Sequence, residues 1–104
     1  MKMIFLGKYT ANALGGLIDG SERKAAVETL IKKIGGTLED MMFTRGEYDI
    51  VVVASAPDGT SIPGVTAALR ASGAFEEAIA LEELDMRDVI ATAKKISAAY
   101  KPAG

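Results

Sequence analysis

The run Ile50-Val51-Val52-Val53-Ala54 constrains the fold more than any other stretch of the chain. Its β-branched residues fit a pleated strand far better than a helix. In a strand over residues 48–56, side chains alternate between faces. Tyr48, Ile50, Val52, Ala54 and Ala56 share one face, and Asp49, Val51, Val53 and Ser55 share the other. Both faces are apolar at their centre, which predicts a central strand covered on both sides rather than one half-exposed to water. Residues 2–9 have the same character: Met3, Phe5, Gly7 and Tyr9 alternate with Ile4, Leu6 and Lys8, predicting a second central strand.

The remaining elements follow from punctuation and periodicity. Residues 10–20, with Gly15-Gly16 and Asp19-Gly20, read as a loop, either a plain surface connection or the rim of a pocket. Ser21 is a suitable N-cap for a helix running to about residue 34, with Val27, Leu30, Ile31 and Ile34 forming its apolar stripe and Gly35-Gly36 ending it. Residues 37–44 read as an edge strand, because Glu39 and Asp40 lower its apolarity. Arg45-Gly46-Glu47 turns back into the central run. Ser61 and Pro63 open a short alanine-rich helix that ends at Ser72-Gly73. Residues 75–84 form the last strand, whose glutamates Glu76, Glu77, Glu82 and Glu83 read as solvent-facing charge. Asp85 caps a final amphipathic helix to about residue 100, striped by Met86, Val89, Ile90, Ala93, Ile96 and Tyr100.

This order predicts one α+β domain over residues 1–104, with a core over 3–84 and an additional C-terminal helix over 85–100. Two βαβ units joined through a hairpin make a ferredoxin-like βαββαβ sandwich with both helices on one sheet face. The other face, drawing on Phe5, Met41, Phe43, Val51, Val53 and Ile79 according to register, is then a bare apolar surface that the C-terminal helix covers only in part. A second copy is the economical cover, giving a homodimeric α+β barrel.

Composition removes several kinds of chemistry. The chain has no His and no Cys, so thiolate nucleophiles, disulfides, the usual zinc sites and a histidine base are absent, and neither metal nor cofactor is expected. A formal net charge of -2, without a basic stripe, argues against nucleic acid. No apolar run approaches the roughly 20 residues of a membrane span, and no cleavage signal follows Lys2. The expectation is a cytoplasmic protein with no membrane partner. A core of small aliphatics, with only 6% aromatic residues, suits close packing of helices on a sheet.

The stretch Gly46-Glu47-Tyr48-Asp49 followed by an apolar strand resembles the signature of the GYD-domain family. Tyr9-Thr10 after the first strand, Ser21-Glu22-Arg23 at the helix start and Ile34-Gly35-Gly36 at its end also resemble that family, over residues 3–84. The resemblance implies a dimeric α+β barrel of bacterial or archaeal origin and no common activity. The glycine-rich 11–20 segment departs from the family pattern.

The polar residues around the motif are open to two readings. In one, Gly46 permits the turn, Tyr48 packs and hydrogen-bonds, Asp49 caps or pairs, and Arg23, in line with the helix stripe, snorkels or forms an ion pair. In the other, Tyr9, Arg23, Tyr48 and Asp49 are the polar groups of a ligand pocket between sheet and helices. Strand alternation sends Tyr48 and Asp49 to opposite faces, against a Tyr-Asp catalytic pair. Three functions remain: a module binding an apolar or aromatic metabolite; a cofactor-independent oxygenase, isomerase or lyase with Asp49 or Glu47 as base and Tyr48 or Tyr9 as acid; or a purely structural self-associating unit.

Overall fold

The computed structural model describes residues 1–20 and 22–103. Its elements are β1 (Lys2–Tyr9), α1 (Ala11–Ile18), α2 (Arg23–Lys33), β2 (Thr37–Phe43), β3 (Ile50–Ser55), α3 (Ile62–Ala71), β4 (Phe75–Glu82) and α4 (Met86–Ser97). The strands form one sheet in the order β2-β3-β1-β4, with every neighbouring pair antiparallel. The two strands with apolar residues on both faces are the two central ones, and β2 is an edge strand. The fold is α+β and ferredoxin-like.

The core lies between the sheet and the helices. Met3, Phe5 and Tyr9 of β1 and Ile50, Val52 and Ala54 of β3 are buried on this face. Ile31 of α2 and Ile62 of α3 close over Met3 and Ala54. Leu69 of α3 and Val27 of α2 pack near Phe5, Tyr9, Ile50 and Val52.

Residues 10–20, expected as a loop, contain a helix instead. Thr10 is its N-cap, with Oγ1 accepting a hydrogen bond from the Ala13 backbone N–H at 3.2 Å. Ala13 and Leu17, four apart on one face, pack against the Phe5–Tyr9–Ile50–Val52 cluster. Each of Gly15 and Gly16 costs a helix about 1 kcal/mol relative to alanine, and burial of this face offsets that penalty. The helix ends at Ile18 with Asp19 as its C-cap, and Gly20 after the cap has a φ of 93°, in the left-handed region. The Ser21 cap expected for the next helix lies outside the described residues. At the start of α2 the Glu22 carboxylate accepts from the Lys24 N–H at 3.0 Å.

Register settles which residues face away from the helices. Val51 and Val53 pair with Leu6 and Ile4, which pair in turn with Ile79 and Leu81, so these six occupy the open face. Phe5, Met41 and Phe43 are on the helix side, because Phe5 and Met41 both align with Val52, and Phe43 aligns with Ile50. No helix among the described residues covers the open face. α4 leaves the sheet, and all its residues are exposed. The result is an elongated chain, 58 × 33 × 23 Å, with a radius of gyration of 17.5 Å against about 13 Å for a compact chain of this length. No helix among the described residues is long and apolar enough to cross a membrane.

Candidate functional site

Asp49 is first a structural residue. The β1–β3 ladder reaches its last paired residues at Gly7 and Ile50. Asp49 N–H then donates to the Gly7 carbonyl at 2.8 Å. Beyond that point the chain turns away, and the Tyr9 N–H would lose its carbonyl partner. The Asp49 carboxylate replaces it, accepting from Tyr9 N–H at 2.9 Å through Oδ2. The turn before it is closed by Thr44, whose N–H donates to the Asp49 carbonyl at 2.9 Å and whose hydroxyl donates to the Tyr48 carbonyl at 2.6 Å. Gly46 has φ of 136°, a conformation that an L side chain would strain. The motif thus locks the β2–β3 turn onto the end of β1, and thereby positions Tyr9.

Tyr9 is buried and faces the helices. Phe75, at the start of β4, stacks on its ring at 5.0 Å between centroids and meets Phe5 edge-on at 5.3 Å. The close approach of Phe75 depends on Gly7: a Cβ there would lie 2.6 Å from the Phe75 ring and 2.9 Å from the Phe5 ring. A register shift between Lys8 and Tyr9 sets Tyr9 opposite Phe75. Neither Gly7 nor Phe75 stood out as a site residue in the sequence. The available signal was a glycine inside an otherwise apolar strand, which marks a close approach.

Between this aromatic group and the helices lies a cavity of about 120 Å³. Its floor is Met3, Phe5, Ile50, Val52 and Ala54 of the sheet; Val27, Leu30 and Ile31 of α2 and Val65 and Leu69 of α3 roof it. Ala26, Leu30 and Val65 also line the groove between α2 and α3, so the cavity lies directly beneath that groove. Two ionisable side chains reach its wall, Arg23 from the first turn of α2 and Tyr9. Burial pushes the Tyr9 hydroxyl above the ordinary tyrosine value, with the Arg23 cation opposing and the Asp49 anion reinforcing.

The four polar residues singled out by sequence therefore separate. Tyr9 and Arg23 share the cavity wall. Asp49 is outside the lining but couples to Tyr9 through the backbone hydrogen bond and its charge. Tyr48 is half-buried and sits in the field of Glu47, Glu77 and Lys8. Burial, then Glu47 and Glu77, push its hydroxyl above the ordinary value, with Lys8 opposing. Lys8 and Glu77 are paired across β1 and β4 on the open face, so Tyr48 and the cavity belong to different sides of the sheet.

An antiparallel β2-β3-β1-β4 sheet with α2 and α3 on one face, and a ring-sized apolar cavity between the layers, defines a ferredoxin-like α+β protein with room for a small molecule. The family model of the GYD domain matches residues 3–93, from β1 into α4. The chain belongs to the GYD-domain family, and the match runs beyond the 3–84 region over which the sequence motifs follow the family pattern. A search of curated proteins finds no match.

Proposed function

We propose that the protein is a homodimeric binding module that holds a compact apolar or aromatic small molecule between its sheet and helices α2 and α3. The cavity carries this reading. An apolar cavity of about 150 Å³ stays dry and accepts benzene, and the cavity here, at about 120 Å³ with aromatic and aliphatic walls, is close to that scale. Arg23 and Tyr9 supply the few polar contacts that orient a ligand in an otherwise apolar pocket. Binding is favoured over catalysis by the lining itself. The described lining residues include no carboxylate to act as a base, and one oxygen of the nearby Asp49 is engaged by the Tyr9 N–H. The bare apolar face of Ile4, Leu6, Val51, Val53, Ile79 and Leu81 supports association with a second copy.

Methyl-detected NMR titration with benzene and with benzoate tests the binding. The expected result is saturable shifts of the Met3, Leu30, Val65 and Leu69 methyl signals, lost in an Ala26→Trp variant that plugs the groove. At a ligand concentration of about 100 times Kd, stability should rise by about 2.7 kcal/mol. Unchanged methyl signals with both probes up to millimolar concentration would contradict the proposal.

A further inference from the structure

The helix α4 is the one element of the described chain whose residues are all exposed. It has 12 residues, and isolated helices shorter than about 12–15 residues are marginal in water. Its ends are well made: Asp85 accepts from the Arg87 N–H at 3.0 Å, and Lys94 and Lys95 occupy the last turn. Yet Met86, Val89, Ile90 and Ile96, together with Tyr100 beyond its end, are 39–72% exposed. These residues fall on a single stripe at helical spacing, the pattern of a helix built to lie on an apolar surface. The same chain holds an apolar surface without a helix, the open face of its sheet, where Leu81 is 50% and Met42 45% exposed.

From these observations we infer that α4 is a clasp that lays its apolar stripe on the open sheet face of a second copy. The inference rests on the homodimer proposed above, but not on the ligand. Three features favour a second copy as the occupant. First, the Glu83 N–H donates to the Lys2 carbonyl at 2.8 Å, holding the chain on β1 until two residues before the helix cap at Asp85. From there α4 runs away from its own sheet. Second, two copies satisfy each other, because every chain carries both the stripe and the face. Third, the charges match. On the open face Lys2 and Lys8 are engaged by Glu39 and Glu76, leaving Asp40 and Glu77 as surplus negative charge, while Lys94 flanks the α4 stripe.

The absence of cysteine makes disulfide trapping a clean test on the full chain. Ile90→Cys protein is mixed with tagged Leu81→Cys or Met42→Cys protein under mild oxidation, with Thr29→Cys on the far side of α2 as control. The expected result is a mixed disulfide between chains, formed at least roughly tenfold faster than with the control because the contact raises the effective concentration. In parallel, Ile90→Asp should leave the methyl signals of the core unchanged, since Ile90 is not among the core residues, and weaken the dimer by roughly 30-fold or more. A disulfide that forms only within one chain of the Ile90→Cys/Leu81→Cys double variant would overturn the inference. So would a dimer that forms no mixed disulfide and ignores Ile90→Asp, a result that leaves the homodimer itself standing. A wild-type chain that sediments as a monomer overturns both.

Discussion

The two faces of the sheet have nearly the same apolar content and opposite surroundings. On the helix side, Ile50 is 1% exposed, and Met3, Val52 and Ala54 are equally sealed under α2 and α3. On the other side, Ile4 and Ile79, from the same central β1 and its neighbour β4, each remain 36% exposed. Alternation along β1 and β3 produces both faces at once, so one strand commits the chain to covering two surfaces. Only one is covered from within. Similar side chains thus meet two surroundings: on the helix side they enclose a cavity of about 120 Å³, and on the open side they remain partly exposed.

Truncation on the two faces should break the symmetry most visibly. Ile50→Ala should cost about 3 kcal/mol in denaturant unfolding, because it enlarges a cavity that its neighbours already fail to fill. Val53→Ala, one strand face away, should cost less than about 1 kcal/mol at concentrations where the chain is monomeric. Equal costs would mean that the open face is covered in the single chain. Next in size is Asp49→Ala, which leaves the Tyr9 N–H without an acceptor at the junction of the two faces. A loss of about 2 kcal/mol is expected for a hydrogen bond to a charged acceptor. Asp49→Asn, which keeps an acceptor, should recover part of it.

The smallest effect belongs to the open face. The Ser55 hydroxyl donates to Glu39 Oε1 at 2.6 Å, and Lys2 lies 3.6 Å from its other oxygen. The Ser55 bond first, and the Lys2 cation after burial opposes it, hold the Glu39 carboxyl below the ordinary glutamate value. A carboxyl lowered in the folded state contributes stability above the unfolded pKa, and that contribution disappears as pH falls through the lowered value. NMR titration should find Glu39 titrating below an ordinary glutamate, and Ser55→Ala should move its midpoint up. An unmoved midpoint would dismiss the Ser55 bond as the cause.

Much of the fold was legible because strand chemistry is local. The β-branched run at residues 50–53 and the mixed faces of β1 each signal a central strand without knowledge of neighbours. Register is not local. The edge strand β2 slips between Leu38 and Asp40, and this pairing sets Met41 and Phe43 on the helix side, which no reading of β2 alone can decide. The helix α1 was hidden by Gly15-Gly16, whose low helix propensity outweighs the Ala13–Leu17 spacing until the core that receives it is known. Of the candidate site, Tyr9 and Arg23 were readable as polar groups at the ends of apolar elements. Phe75 was not, since only the fold brings the start of β4 over Gly7. Alternation separates Tyr48 from Asp49 but assigns their sides the wrong way round: β3 begins only at Ile50, so the two turn residues do not follow its alternation, and Tyr48 sits by Lys8 and Glu77 of the open face while Asp49 bonds the Tyr9 N–H.

Whether the open face meets a second copy decides between a homodimer and a chain that works alone. Sedimentation velocity of the wild-type chain at micromolar concentration, compared with Val53→Asp, measures this most directly. A species of about 22 kDa, twice the 10.9 kDa of one chain, converted to the single-chain mass by the substitution, is the predicted result. A wild-type protein that sediments at the mass of one chain across that range would contradict it.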